Sequence, residues 1–200
     1  MILFIIILIR SAINPHNNFV WFLEVLPALI GVGLLIYFYP TFKFTNLLYV
    51  LVFLHCTVLI VGGHYTYAEV PLFDYLRNLF HLKRNNFDKV GHFAQGFVPV
   101  LIVREIFYRQ KIVLKRNWLS FICVSVTLSF SAVYELIEWF VASVTGESAD
   151  AFLGSQGDVW DTQSDMLMCL IGSVISLICL SRIHDKQMEK VKLLNKNTED

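Results

Sequence analysis

The sequence predicts an all-α fold: a polytopic helical membrane protein with about six transmembrane helices and one short interfacial helix. Hydrophobic residues make up 56% of the chain, and the mean hydropathy is +0.60. Only 16% of residues are charged, whereas soluble domains carry about 25%. Apolar runs long enough to span a bilayer also recur along the chain. The net charge of zero gives no indication of a nucleic-acid partner.

Five apolar runs approach the roughly 20 residues that a spanning helix needs. They are Phe19–Phe38, Phe44–Gly62, Asp88–Phe107, Trp118–Val144 and Trp160–Leu180. The run Met1–Ile13 is a sixth candidate, although Arg10 interrupts it. The nine residues before Arg10 cover only about 13 Å of helix, so this span is short. It lacks the basic start and the small-residue cleavage site of a signal peptide.

Two further segments complete the organisation of the chain. Between the third and fourth spans, Leu72, Leu76, Leu79 and Phe80 recur at helical spacing, which predicts a short amphipathic helix in the membrane interface. After the last span the sequence becomes strongly charged. Residues 1–183 are therefore expected to form a single transmembrane domain, and residues 184–200 a charged cytoplasmic tail without stable structure.

The distribution of basic residues predicts the orientation. One side of the membrane carries ten of them: Lys43, Arg109, Lys111, Lys115, Arg116, Arg182, Lys186, Lys190, Lys192 and Lys196. The other side carries four: Arg10, Arg77, Lys83 and Arg84. By the positive-inside rule both termini are expected in the cytoplasm, as in a multi-pass protein of the bacterial inner membrane.

Given this topology, acidic and histidine side chains from three spans meet in the outer half of the bilayer. The predicted catalytic and metal-binding residues are His92, Glu135, Glu138, Asp161 and Asp165. Uncompensated carboxylates are costly inside a membrane, so these must be protonated, paired or bound to metal. Carboxylate oxygens with imidazole nitrogen suit Mg, Mn, Zn or Fe. The pattern therefore predicts a divalent metal as cofactor.

A second set of polar residues flanks the same spans and is predicted to bind substrate. It consists of His64, Tyr65, Tyr67, Glu69, Asp88, Lys89, Asp158 and Gln163. Structural roles are open for several members. Asp88 and Asp158 stand where helix N-caps are expected, and Lys89 is placed to anchor a helix at the interface. His92 could equally serve as a structural hydrogen-bonding residue.

Four stretches carry a resemblance to a known family. They are residues 63–71 (GHYTYAEVP), 88–93 (DKVGHF), 134–139 (YELIEW) and 154–163 (GSQGDVWDTQ). The chain resembles the YjdF-like family of bacterial inner-membrane proteins. More distantly, Asp88-Lys89 with His92-Phe93, the Glu135/Glu138 pair and Asp161 with Asp165 are similar to the VanZ-like family. The resemblance implies the helical fold and the polar cluster, and no particular activity.

Three functions remain open on the sequence alone. The first is a metal-assisted intramembrane enzyme acting on a lipid or envelope precursor in the outer leaflet. The second is a non-catalytic binder or transporter of an ion or amphiphile, in which charged residues mark the pathway. The third is a structural partner in envelope assembly. The expected partners are the lipid bilayer, a lipid or envelope-precursor ligand and, for a transporter, a second copy of the chain.

Overall fold

The computed structural model describes residues 1–145 and 155–196, and every regular element in these two ranges is an α-helix. The expected all-α fold class is therefore confirmed. The loop expected between the last two spans falls mostly outside the described residues. The helices are α1 (Ile2–Ser11), α2 (Asn18–Phe38), α3 (Asn46–His64), α4 (Pro71–Leu79), α5 (Phe87–Phe97), α6 (Pro99–Arg109), α7 (Arg116–Thr145) and α8 (Asp161–Lys196).

Among the described residues, five stretches are long and apolar enough to cross a membrane. They are Asn18–Phe38, Asn46–His64, Phe87–Arg109, Trp118–Thr145 and Asp161–Val191. Helix α1 is also apolar but has only 10 residues. At 1.5 Å per residue it is about 15 Å long, half the thickness of a hydrocarbon core. It packs against α3 and buries Phe4, and its role as a sixth span stays a prediction.

The fourth span consists of α5 and α6, which meet at Val98. Pro99 occupies the start of α6, where its missing backbone N–H costs least. Val98 keeps helical angles (φ −90°, ψ −53°), so the chain continues in the same span. This arrangement places α5 at one end of the bundle and α6 at the other.

Helix α4 has the amphipathic character that the sequence predicts. Leu72, Tyr75 and Leu79 lie on one face and are 63%, 63% and 54% exposed. On the other face Asp74 forms an ion pair with Arg77 at 3.2 Å. An outward apolar face beside the ends of spanning helices is typical of an interfacial helix.

Helices α5 and α8 approach so closely that glycine is required at the contact. A Cβ atom on Gly96 would collide with the backbone carbonyl of Cys169, and one on Gly172 with that of Phe93. Small residues at such crossings let two helix backbones touch within a membrane. Because α5 and α8 carry most of the predicted site, this contact decides how close the site residues come to one another.

Helix α8 continues past the domain boundary expected at residue 183 and ends at Lys196. The physical reason is a buried polar network at this end of the bundle. His184 and Glu105 are both 0% exposed, and His184 Nε2 lies 2.9 Å from Glu105 Oε2. Arg104 donates to Asp185 at 2.6 Å. These contacts tie the first turns beyond residue 183 to α6.

Candidate functional site

The candidate site lies at the end of the bundle where α3 ends and where α5 and α8 begin; we call this the site end. On α5, Asp88 and His92 are one turn apart and face inward. On α8, Asp161 and Asp165 are likewise one turn apart and are 7% and 2% exposed. A turn within residues 155–160 leads directly into α8. The helical period thus directs each pair to one face.

Helix α7 supplies two glutamates to the same region. Glu135 and Glu138 are each 7% exposed, whereas Leu136, Trp139 and Phe140 between and beside them are more than 60% exposed. The apolar side chains therefore face the surroundings of the bundle, and the acidic ones face its interior. Both glutamates are thus buried inside the bundle, and their catalytic and metal-binding roles stay predictions.

Two basic side chains form ion pairs with the aspartates at the start of α8. Lys89 Nζ lies 2.6 Å from Asp161 Oδ1 and 2.7 Å from Asp165 Oδ1, and it also donates to Ser164 Oγ at 2.6 Å. Arg84 donates to the same Asp161 oxygen. The Arg84 guanidinium also lies 3.4 Å from Asp88 and 3.6 Å from Asp158. Lys89 is thus a member of the site rather than only an interface anchor.

His92 stands at the centre of the remaining acids. Its Nε2 lies 3.4 Å from Asp88 Oδ1 and 3.9 Å from Asp165 Oδ1. Its Nδ1 lies 3.0 Å from Gln95 Oε1 and 3.6 Å from Glu135 Oε1. A proton on Nδ1 donated to Gln95 leaves the Nε2 lone pair directed at the two aspartates. That tautomer is the one a metal-ligating histidine needs.

Asp88, His92 and Asp165 offer ligand atoms that all lie within 4.8 Å of one another. Metal–ligand bonds of about 2.0–2.2 Å place neighbouring ligand atoms about 3 to 3.5 Å apart. The longest edge of the group would therefore need to close by up to about 1.3 to 1.8 Å. Oxygen and imidazole donors together suit Mg, Mn, Zn or Fe.

The site is strongly acidic. Six buried carboxylates belong to it, against two permanent cations, Arg84 and Lys89, and one histidine. In a low-dielectric setting such an excess of negative charge needs protons or a bound cation. The Oε1 atom of Glu135 is buried without a hydrogen-bond partner in the described part of the chain. The six carboxylates are Glu24, Asp88, Glu135, Glu138, Asp161 and Asp165.

A cavity of about 80 Å³ opens behind His92, on the side away from Lys89. The hydroxyl of Tyr134 on α7 donates to Glu24 Oε2 on α2 at 3.1 Å across it. The ring of Tyr67 closes it against Gly62 and Gly91. Tyr67 lies outside the spans, and its burial raises its pKa well above the ordinary value, so this hydroxyl stays neutral.

The predicted substrate-binding residues divide into two groups. Asp88, Lys89, Asp158 and Tyr67 lie in or beside the site. Asp158 also accepts a hydrogen bond from the Trp160 backbone N–H at 3.0 Å, so its expected capping role and its contact with Arg84 coexist.

The other group lies elsewhere. His64 and Tyr65 pack their rings together at 4.6 Å, and His16 contacts Tyr65 at 5.3 Å and pairs with Glu69. This second cluster joins the α1–α2 loop to the end of α3. Gln163 lies on an exposed face of α8. The substrate-binding roles of all eight residues stay predictions.

Two members of the site were not among the predicted residues. From the sequence, Arg84 is assigned to an outer loop as one of its basic residues, yet its side chain is only 10% exposed. Its position four residues before Asp88, which is itself four residues before His92, was the available signal. Glu24 appears as a lone acid in the second span, and no spacing links it to the cavity. Only the fold brings Glu24 of α2 within hydrogen-bond distance of Tyr134 on α7.

The comparisons with known proteins identify the family to which the chain belongs. Residues 1–186 match the family described as "Predicted membrane protein (DUF2238)". The chain is 46% identical to the inner membrane protein YjdF of Escherichia coli K12 over 189 residues, which cover 94% of this chain and 90% of that protein. No solved structure is significantly similar. These matches support the assignment of the chain as an integral protein of the inner membrane. The chain belongs to the DUF2238 membrane protein family, the family of YjdF.

Proposed function

We propose that the chain is a metal-dependent intramembrane enzyme acting on the polar head of a lipid or envelope precursor in the outer leaflet. The observation that carries the proposal is the group of Asp88, His92 and Asp165, whose ligand atoms lie within 4.8 Å of one another in a buried setting. An open coordination position on such a metal polarises a phosphoryl or carbonyl oxygen. His92 Nδ1 already has a hydrogen-bond partner, Gln95 Oε1 at 3.0 Å, of the kind that orients a ligating imidazole.

The surrounding charges suit a reaction that develops negative charge. Arg84 and Lys89 stand beside the proposed metal position, and fixed cations there stabilise a developing oxyanion more strongly than water does. Glu135 Oε1, 3.6 Å from His92 and without a hydrogen bond of its own, is placed to accept a proton. The proposed roles are therefore metal ligands for Asp88, His92 and Asp165, electrostatic stabilisers for Arg84 and Lys89, and a base for Glu135.

The outer-leaflet assignment follows from the basic residues. The end of the bundle opposite the site carries Arg109, Lys111, Lys115 and Arg116 between α6 and α7. The positive-inside rule assigns that end to the cytoplasm and the site end to the periplasm. Helix α4, with its outward apolar face, then lies in the periplasmic interface beside the site. The resemblance to the VanZ-like family stays a prediction, and the proposed activity does not depend on it.

The contacts of Lys89 favour a second candidate, a non-catalytic binder or transporter. The Lys89 ammonium already compensates Asp161 and Asp165 from inside the protein. With that internal cation in place, the remaining acids could exchange protons or an amphiphile's cationic group without a metal. The two candidates differ in one measurable property, the binding of a divalent ion.

The test is metal binding by protein purified without chelators. Elemental analysis should find near-stoichiometric metal, or metal-free protein should bind one Mn²⁺ or Zn²⁺ by calorimetry. The variants His92→Gln and Asp165→Asn should lose this ion, since each removes one of three ligands. Glu189→Gln is the matched control, because Glu189 is an exposed acid at the opposite end of α8.

Activity requires a second experiment. Lipid extracts of cells lacking the gene, of wild-type cells and of cells producing Asp165→Asn should be compared by mass spectrometry. A lipid or envelope species that accumulates equally in the deletion strain and in the variant supports an enzyme. Protein that binds no divalent ion, together with unchanged lipids, would refute the enzyme and leave the binder.

A further inference from the structure

We propose that the cavity behind His92 binds an ammonium group, so that the polar head entering this site carries an amine. The inference rests on the proposed function, because it takes the substrate's head to occupy the same site. It adds a chemical class: an amphiphile with an organic ammonium, of which an ethanolamine-type head is the simplest example. The evidence is the lining of the cavity, its unpartnered carboxylate and its size.

The cavity is enclosed by four helices and by the segment after α3. Asp88 and His92 form the wall that it shares with the candidate metal ligands, so a group in the cavity is adjacent to them. The deepest polar positions come from α3 and α5, roughly two helical turns below the site end. The lining consists of Glu24, Pro27, His55, Leu59, Tyr67, Asp88, Gly91, His92, Gln95, Tyr134 and Glu138.

Glu138 is the side chain in this cavity that most needs a ligand. It is 7% exposed, and among the described residues it makes no hydrogen bond or ion pair. Glu24, which is 5% exposed, receives one hydrogen bond, from the neutral hydroxyl of Tyr134. Glu24 and Glu138 thus share a space in which the only lining side chains able to carry a positive charge are two histidines: His55, and His92, which is already surrounded by acids. A cation entering this cavity would compensate charge that the protein leaves uncompensated.

The remaining lining favours an organic cation over a bare metal ion. Tyr67 and Tyr134 present aromatic rings, and the faces of such rings attract ammonium groups in desolvated pockets. His55 Nε2 is buried without a hydrogen-bond partner in the described structure and can accept one N–H. Pro27 and Leu59 give apolar surface for a short carbon arm. Carboxylates, rings and apolar carbon together match an alkylammonium better than a hydrated ion.

The size agrees with a small group. About 80 Å³ is room for several water molecules. An ammonium on a two-carbon arm fits that volume, with its attached phosphoryl or ester group remaining beside Asp88 and His92. Two sources share this chemistry: the head of an aminolipid, and a free small amine from the periplasm.

The experiment compares head groups in nanodiscs. Wild-type protein in phosphatidylglycerol nanodiscs is titrated with short-chain phosphatidylethanolamine, with short-chain phosphatidylglycerol and with free ethanolamine, and binding is followed by native mass spectrometry. The expected result is at least tenfold tighter binding of the ethanolamine lipid than of the glycerol lipid. Tight binding of free ethanolamine as well would assign the site to small amines and still support an ammonium pocket.

The decisive variant is Glu24→Gln, because Glu24 is not a proposed metal ligand. It should reduce the preference for the amine to less than threefold while Mn²⁺ binding is kept. Glu138→Gln serves the same purpose if Glu24→Gln does not fold, and Glu189→Gln is the control that keeps the preference. Equal affinity for both lipids, an unchanged preference in a folded variant, or displacement of the amine by millimolar K⁺ would overturn the inference. A kept amine preference in protein that binds no Mn²⁺ would refute the metal proposal alone.

Discussion

Lys89 Nζ lies 2.7 Å from Asp165 Oδ1, and the same oxygen lies 3.9 Å from His92 Nε2. One carboxylate oxygen is therefore shared between an internal ammonium and the candidate metal ligands. A divalent ion bound by Asp165 would lie within a few ångströms of the Lys89 charge. If the proposed ion binds there, it competes with Lys89 for one carboxylate, and that competition can be tested.

Replacing Lys89 with methionine should raise the affinity for metal and lower the stability of the metal-free protein. A like charge about 4 to 6 Å from the ion opposes binding by several kcal/mol at an effective dielectric of about 20, so Mn²⁺ affinity should rise at least tenfold. Without metal, Asp161 and Asp165 lose their shared partner, and the melting temperature should fall. Calorimetry and thermal unfolding, with and without Mn²⁺, measure both effects.

Lys83→Met is the matched control, because Lys83 is exposed and lies six residues before Lys89. It should change neither quantity. An unchanged Mn²⁺ affinity in folded Lys89→Met protein would show that the ion does not use Asp165.

Replacing Gly172 with alanine should separate α5 from α8. The added Cβ would overlap the Phe93 carbonyl, which is backbone and cannot rotate away. Overpacking of this kind costs about 1–3 kcal/mol, so the free energy of unfolding should fall by that amount. Since the site residues are divided between these helices, Mn²⁺ binding should also weaken. Denaturation in detergent and calorimetry provide the two readouts.

Gly33→Ala gives the comparison, since a Cβ at Gly33 meets nothing within 4 Å. In that variant the free energy of unfolding should stay the same or rise, because alanine favours the helix. If both variants behaved alike, close packing at Gly172 would not be what holds the site together.

The sequence predicted the spanning helices and five of the six acids of the site, all but Glu24, for one physical reason. Hydropathy reports spans, and an acid inside a span is too costly to be incidental, so Glu135, Glu138 and Asp165 could be identified from their positions within apolar segments. Arg84 was missed, because a basic residue in a polar loop costs nothing there, and its spacing four residues before Asp88 does not reveal its burial. Its burial depends on the three-dimensional approach of Asp158 and Asp161.

The second buried network escaped prediction for a related reason. Arg104 and Glu105 lie at the end of the fourth span, where charged residues usually reach water. In the structure they are 4% and 0% exposed, because α8 continues past residue 183 and covers them with His184. A helix that extends beyond its apolar stretch cannot be recognised from hydropathy.

Replacing Glu105 with alanine should destabilise the protein without affecting the site. Glu105 accepts hydrogen bonds from Thr45 and Arg109 and pairs with His184. Removing one member of a buried charged network costs about 3–5 kcal/mol, since its partners remain buried and unpaired. Glu105 follows Asp88 by 17 residues, about 25 Å of helix, so Mn²⁺ affinity should stay within twofold.

Glu189→Ala, an exposed acid at the same end, should lower the free energy of unfolding by less than about 0.5 kcal/mol. If folded Glu105→Ala protein lost Mn²⁺ affinity, the two ends of the bundle would be coupled through α5 and α6, and the network would be more than a structural clamp.

The last prediction concerns orientation, on which the outer-leaflet assignment depends. Asn78 lies exposed at the end of α4, and Gln110 lies exposed between α6 and α7. Each can carry a single cysteine in a chain whose four native cysteines are replaced by serine or alanine. If the positive-inside rule holds, a membrane-impermeant maleimide should label Asn78→Cys in intact spheroplasts and Gln110→Cys only after lysis. A reporter fused after Lys115 should likewise give a cytoplasmic signal. Labelling of Gln110→Cys in intact spheroplasts would invert the bundle, and the proposed site would then act on the cytoplasmic leaflet.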